Sequence, residues 1–302
     1  MEYIILDLEW DSVYYTPKKG FINQILQIGA VRLDSNFNKI GTFSATVRSE
    51  ISKKVSSRFS KLTGITTEKM LCGIPLKEAI NNYNQFANGA DVTMTWSNTD
   101  LYTIIENEDN LLGGKTRFNF KSYLDLQKLV QHHLVKKGYE SKNQISLESA
   151  AELLGVNTEE FNLHTALDDC LVCAALLNLS FDEKTFNSLV KDTTNPDFFA
   201  RLRFKTYQIS DINDSNIKSE EMQFNCPKCG KKAEKITTWK YRNHWFCANF
   251  KCNKCNFKFN GRVSFKKTYD DLCVKHKVCE YKRKGKTSKN NDMQSLPKAV
   301  QH

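Results

Sequence analysis

The sequence has no apolar run long enough to cross a bilayer as a helix, which takes about 20 consecutive residues, so no membrane partner is expected. It also lacks a basic leader, a long apolar segment and a small-residue cleavage site ahead of the apolar stretch that opens at Tyr3. No secretion signal is therefore read, and a cytoplasmic location is expected. Internal repeats of the kind that build solenoids are absent. Acidic residues are scarce in one region only: residues 224–302 hold 5 Asp or Glu against 20 Lys or Arg, a net +15, whereas residues 1–223 sum to −5 within an overall +10. Such asymmetry describes an acidic body with a polyanion-binding appendage, although a solvated tail that only keeps the chain soluble gives the same sum. Without a secretion signal, metal is a better reading of the ten cysteines than disulfides, because seven lie at or after Cys226 and four of those form two C-x-x-C pairs.

At 302 residues, 40% of them hydrophobic, the chain can hold one sizeable domain and a small module. YIILDLEW, FINQILQIGAVRLD and KIGTFSATV alternate as three strands joined by short polar turns, and ADVTMTW reads as a fourth strand. Helical patterns start at Pro75 and at Asp100, and recur near 124–137, 147–154 and 166–179, the last apolar on most sides. Mixed α/β order follows. The boundaries expected are 1–181 for the main domain, 182–223 for a helical segment and linker, 224–265 for a cysteine-bearing module and 266–302 for a basic, partly disordered tail. The linker is placed at DINDSNIKSEE, which is poor in apolar residues.

Asp7 and Glu9 are one residue apart on the opening strand, and its two-residue period points both carboxylates to one face. D-x-E alone is a weak signal, since exposed strands also alternate charges. Asp100 follows the fourth strand in WSNTD, and HTALDD sets His164 just outside a helix start with Asp169 one turn in, Thr165 serving as the cap. Asp168 competes with Asp169 but occupies the capping-box position, so Asp169 is preferred. A carboxylate in an otherwise apolar helix needs compensation, which divalent cations supply.

Taken in order, D7-L-E9, W96-S-N-T-D100 and H164-T-A-L-D-D169 resemble the three motifs of DEDDh exonucleases, the proofreading-subunit and RNase T superfamily, over about residues 1–180. L62-T-G-I-T66 is a further family-like element, and LDLQKL and SLESAAELLG resemble the helical regions before the third motif. DLEW and the tryptophan-led second motif are closer to the Eri-like branch. Trp10, Asp11 and Ser12 depart from the E-T-T-G that proofreading subunits usually carry, so contacts to the terminal nucleotide differ. The resemblance implies a ribonuclease H-like α/β fold, with a five-stranded mixed sheet and flanking helices. It also implies hydrolysis from a free 3′ end of single-stranded nucleic acid to nucleoside 5′-monophosphates, RNA being somewhat favoured.

Phosphodiester hydrolysis needs an activated water and a stabilised leaving oxyanion, which two cations about 4 Å apart provide. Two Mg²⁺ or Mn²⁺ would take hard oxygen ligands from Asp7, Glu9, Asp100 and Asp169, with Asp7 bridging by family analogy. His164 would act as general base, the role histidine most often takes; a helix-flanking surface histidine is the bland alternative. Trp10, Leu62, Thr63 and Trp96, in or beside the motifs, are expected substrate contacts. The rival class is a non-catalytic regulatory protein of the sporulation-kinase-inhibitor type. Four converging carboxylates and a histidine argue against that, and protein partners are not indicated.

CPKCG at 226–230 and CNKC at 252–255 resemble the knuckles of a zinc ribbon, with Cys226, Cys229, Cys252 and Cys255 holding one structural Zn²⁺ and Gly230 easing the turn. Cys247 and His244 are substitute ligands. Cys273, His276 and Cys279 form either a second site or isolated thiols on a basic helix. Cys170 and Cys173 are expected to pack inside their helix. Trp239, Tyr241, Trp245 and Phe246 alternate with Lys240 and Arg242, a mix that either stacks bases and neutralises phosphates or forms the core of the module. The basic run to Lys289 adds affinity without sequence preference.

Overall fold

Strand β1 (Tyr3–Tyr15) has its first four residues buried without interruption, the mark of a strand covered on both faces. Tyr3 and Ile5 enter one core cluster, and Ile4, Leu6 and Leu8 enter another on the opposite side. The computed structural model describes residues 1–140 and 143–281, in two units, Met1–Arg203 and Phe204–His302.

In the first unit β1 is followed by β2 (Gly20–Leu33), β3 (Lys39–Arg48), α1 (Ser57–Thr63), α2 (Thr67–Leu71), β4 (Ile74–Pro75), α3 (Leu76–Ala87), β5 (Val92–Thr95) and α4 (Thr99–Asn110). There follow β6 (Ser122–Asp125), α5 (Leu126–Lys136), α6 (Leu147–Leu154), α7 (Ala166–Ser180), α8 (Glu183–Leu189), β7 (Lys191–Asp192) and α9 (Pro196–Arg203). The sheet runs β4-β3-β2-β1-β5-β6-β7. β1 is antiparallel to β2 and parallel to β5, and β5 is parallel to β6. β3, β2, β1, β5 and β6 form the expected five-stranded mixed sheet, extended at each edge by a two-residue strand. Residues of α5 to α8 fill one cluster, while α3 and α4 fill the other, with Phe198 and Leu202 of α9 packed against it.

The expected boundary near residue 181 is corrected to Arg203. Phe186 of α8 is buried in the first cluster, and β7 pairs with β6. Residues 204–223 are not a linker: Ile209 is buried in the core of the second unit, with Ile217 and Met222 packed against it. A few well-spaced apolar side chains suffice to seat such a polar segment.

The second unit is a six-stranded sheet of β8 (Tyr207–Gln208), β9 (Ala233–Lys235), β10 (Lys240–Arg242), β11 (Trp245–Cys252), β12 (Lys258–Lys267) and β13 (Leu272–Glu280). β10, β11, β12 and β13 are consecutive neighbours, β8 pairs with β12 and β9 with β11. Its core is phenylalanine-rich, with Phe224, Phe246, Phe250, Phe259 and Phe265 buried. Cys273, His276 and Cys279 stand on strand β13, which corrects the expected basic helix. Pairing with β12 from Phe259 to Lys267 decides the conformation there. The basic tail beyond Tyr281 lies outside the described residues, among which no helix is long and apolar enough to cross a membrane.

Candidate active site and cysteine cluster

Strand register and one close approach assemble the acidic site. Asp7 lies opposite Gly29 and Glu9 opposite Gln27 across the β1–β2 pair, with a bulge after Glu9. The first turn of α7 lies against Gly29: a Cβ there would sit 2.3 Å from the Ala166 carbonyl carbon and 2.5 Å from its oxygen. Only glycine admits that approach. Gln27 fastens the same turn, its Oε1 accepting the Ala166 N–H at 3.1 Å, and Cys170 donates to the Gly29 carbonyl at 3.4 Å. Asp169, one turn into α7, thereby joins Asp7 and Glu9 in a group whose carboxylate oxygens lie within 4.8 Å of one another. Gly29 and Gln27 were not singled out from the sequence; a glycine inside a strand pattern was the available signal.

Asp100, at the start of α4, is 4% exposed, and the Leu8 backbone N–H donates to it. Its Oδ1 is buried without a partner, and among the described residues no Lys or Arg forms an ion pair with any of the four carboxylates. Burial first, and then repulsion from Asp100, Asp169 and Glu9, pushes Asp7 well above the usual carboxylate range. Burial and the charges of Asp169 and Asp100 raise Glu9 to about 8. Burial raises Asp100 to about 7 against its backbone hydrogen bonds, and raises Asp169 as well. Hard-oxygen donors, mutual repulsion and an orphaned buried oxygen fit divalent cations.

These carboxyls hold their protons more tightly folded than unfolded, which fixes the sign of a pH effect. Below about pH 4 both states are protonated. As pH rises the unfolded chain ionises first, so stability falls until the folded groups ionise, near 7 for Asp100 and 8 for Glu9. The thermal midpoint of cation-free protein should therefore drop between pH 5 and pH 8 and recover when Mg²⁺ or Mn²⁺ is added at pH 8. Glu108, buried on α4 and raised to about 7 mainly by burial, contributes with the same sign. Flattening of the curve by Asp100→Asn isolates the share of the site; a midpoint indifferent to pH and cation would count against it.

His164 is exposed, with a left-handed backbone (φ 72°), and its N–H donates to Asp169 Oδ1 at 3.3 Å. It stands outside the helix beside the carboxylates. Asp168 serves the helix start, accepting from Thr165 Oγ1 and the Asn162 N–H at 3.0 Å each. Thr165 is the N-cap residue, but its hydroxyl is thereby a donor and caps no backbone N–H.

The expected substrate contacts divide. Leu62, at the end of α1, is 50% exposed. That helix is tied to β1 because Asp11 accepts from both the backbone and the hydroxyl of Ser56, its N-cap residue. Thr63 is corrected: it is buried, donating to the Phe59 carbonyl and accepting from the Ile65 N–H, and is committed to the helix end. Trp10 and Trp96 are partly buried against the two core clusters, and the Trp96 indole nitrogen is buried without a partner.

Cys226, Cys229, Cys252 and Cys255 form the second ligand group, all four Sγ atoms within 4.8 Å of one another. The closest pairs are Cys226–Cys255 at 3.5 Å and Cys229–Cys252 at 3.4 Å. Four thiolates about 2.3 Å from a tetrahedral zinc would lie about 3.8 Å apart, so the cluster fits that ion. Cys247 is not a substitute ligand: it stands on the sheet face away from the core, beside the Trp245 carbonyl, and His244 occupies the β10–β11 turn with φ 66°. Cys170 and Cys173 are fully buried in α7. Tyr241 and Trp239 pack against the core and Phe246 is buried in it, whereas Trp245, Lys240 and Arg242 line a concavity on the opposite face.

The exonuclease family model RNase_T matches residues 5–177. No curated protein matches the sequence. Among solved structures, cell-death related nuclease 4 (CRN-4) is similar at 18% identity and a TM-score of 0.50, over 74% of this chain and 70% of its own. The nuclease domain of 3′hExo, a DEDDh family member bound to rAMP, is similar at 19% identity and a TM-score of 0.50, over 59% of this chain and 90% of its own. At these identities the likenesses show the fold.

Proposed function

The chain belongs to the RNase_T exonuclease family, and from that premise we propose that it is a divalent-cation-dependent 3′→5′ exonuclease releasing nucleoside 5′-monophosphates from single-stranded nucleic acid, with RNA preferred. One observation carries the reading: Asp7, Glu9 and Asp169 converge within 4.8 Å, beside a buried Asp100 oxygen that no group among the described residues satisfies. Mg²⁺ or Mn²⁺ held by these four residues would lower the pKa of the attacking water and offset charge on the scissile phosphate. His164 takes the water proton. The water oxygen forms the new bond to phosphorus, and the bond to the 3′-oxygen of the preceding nucleotide breaks. Leu62, exposed on an anchored helix, is suited to separate the terminal base from its neighbour. The RNA preference rests on the Eri-like first two motifs, and the family resemblance likewise supplies the 3′→5′ direction.

The test is incubation with 5′- and 3′-labelled RNA and DNA oligomers with Mg²⁺ or Mn²⁺ and with chelator. Labelled mononucleotide should appear at once from the 3′ label, and a descending ladder from the 5′ label, both suppressed by chelator. Cleavage in mid-strand, or none with either cation, overturns the reading.

The four cysteines would hold a structural Zn²⁺. Cys252→Ser should abolish the zinc found in purified protein and unfold residues 204–281, because the free energy of zinc binding contributes directly to folding such small modules. Elemental analysis and proteolysis check both parts; a zinc-free wild-type chain with an intact second unit would remove the assignment.

A further inference from the structure

We infer that the outward face of the second unit's sheet is a nucleic-acid-binding site in its own right, taking the phosphates of a single strand on Lys240, Arg242, Arg262 and Lys277 and a base on Trp245. The choice of a nucleic-acid ligand rests on the exonuclease reading; the face itself rests on register. β11 alternates, with Phe246, Ala248, Phe250 and Cys252 buried and Trp245, Cys247, Asn249 and Lys251 partly exposed. Cross-strand pairing puts Lys240, Cys247, Arg262 and Lys277 in one row over four strands. A second row joins Arg242 to Trp245, and the exposed Lys275 follows opposite Ser264. Residues paired across a sheet share a face, so five cations and one indole meet there.

The face is concave, with a cavity of about 640 Å³ lined by Lys240, Arg242, Trp245, Asn249, Asn260 and Arg262 among others, within the size range of ligand sites. Among the described residues no carboxylate forms an ion pair with Lys240, Arg242, Arg262, Lys275 or Lys277, and Glu280 is the only acidic residue lining the cavity. Arg262 is held in place: its Nε donates to Asn260 Oδ1 at 3.0 Å, and Asn260 Nδ2 donates to Asn249 Oδ1 at 3.0 Å. The forked end of a guanidinium oriented in this way suits a phosphate. Side-chain amides on the floor can meet base edges, and an indole offers a stacking surface that tolerates any base. An anionic membrane would favour a flat, basic surface with several apolar side chains to insert, and this face is hollow and amide-lined.

The test uses the full chain with its zinc retained and a long phosphorothioate single strand that resists hydrolysis, with affinity read by fluorescence anisotropy at several salt concentrations. Arg262→Glu combined with Lys277→Glu should weaken binding about tenfold or more, and each lost phosphate contact should flatten the slope of log affinity against log salt by about 0.7. Trp245→Ala should weaken it about tenfold, and Arg262→Lys, which keeps the charge but loses the fork, should weaken it less than Arg262→Glu does. Lys231→Glu with Lys232→Glu makes the same charge change at the cysteine knuckle and should alter affinity little. Zinc content and thermal midpoint check that each variant is folded. Unchanged affinity in the first pair, or equal loss in both pairs, overturns the inference. So does a first pair that loses binding to phosphatidylserine vesicles but keeps it to the oligomer. Binding is read without cleavage: wild-type protein that binds but never hydrolyses refutes the exonuclease reading alone, and wild-type protein that hydrolyses but whose first pair binds undiminished refutes this face alone.

Discussion

Asp7→Asn should reduce hydrolysis to background while the folded chain becomes no less stable, and Asp169→Asn should do the same. Both residues stand where three carboxylates crowd within 4.8 Å, and Asp7 has its pKa raised by all three companions. An amide of the same shape removes a charge that the cation-free fold must hold against burial and repulsion, so the thermal midpoint at pH 8 should stay or rise. The same change removes an anionic ligand at the centre of the site, and cation affinity falls with it. His164→Ala should act differently, lowering turnover by about 10²- to 10⁴-fold while leaving cation binding near wild type, because its ring lies outside the carboxylate group. Turnover on a labelled oligomer at saturating Mn²⁺, with calorimetry of cation binding, separates these cases. Undiminished turnover in the Asp7 variant would remove the carboxylates from the mechanism.

Gly29→Ala should cost nearly as much activity without touching any ligand. Its methyl carbon would fall 2.3 Å from the backbone of Ala166, and backbone cannot rotate aside as a side chain does. Relief requires α7 to move away from β2, carrying Asp169 away from Asp7 and stretching the Gln27 bond to Ala166. Misplacing a reacting group by about 1 Å costs about 10²-fold, and overpacking adds about 1–3 kcal/mol of destabilisation. Gln27→Ala is the milder companion, since it removes one hydrogen bond at the same turn and creates no clash. Oligomer turnover and a denaturant melt of the three proteins test this; a fully active Gly29→Ala would show that α7 is positioned by other contacts.

The carboxylates were legible because their signals are local. Strand period alone put Asp7 and Glu9 on one face, and HTALDD marked its own helix start. What holds them together is not local: the contact of Gly29 with Ala166 joins segments far apart in the chain, and nothing in GAVRL names its partner. Thr63 was expected at the substrate because it sits beside a motif, but which way a side chain faces depends on what packs around it. On β11 the alternation was visible, although not which half would be interior; Phe224 and Phe259 of neighbouring segments decide that. LCVKHKVCE was misread as helical because its few apolar residues fit either period, and β12 settles the matter by pairing along its full length. A helical segment was expected within 182–223 and α8 is there, but its membership of the first domain was not legible, because a short apolar pattern in a polar stretch has little weight until a core is there to receive it.

The distribution of the four carboxylates along the chain has a consequence for the order of folding. Asp7 and Glu9 lie on the opening strand, whose antiparallel partner β2 follows within a few residues, so that hairpin can form early. Its other neighbour, β5, and the helix that covers Gly29 come much later, and contacts of such long sequence separation are slow to close. During synthesis the hairpin therefore waits first for β5 to pair with its open edge and later for Ala166 and the turn beyond it to cover Gly29. A nascent or truncated chain ending before His164 lacks both that residue and Asp169 of α7, so its carboxylate group is incomplete, and such a chain should be inert toward nucleic acid.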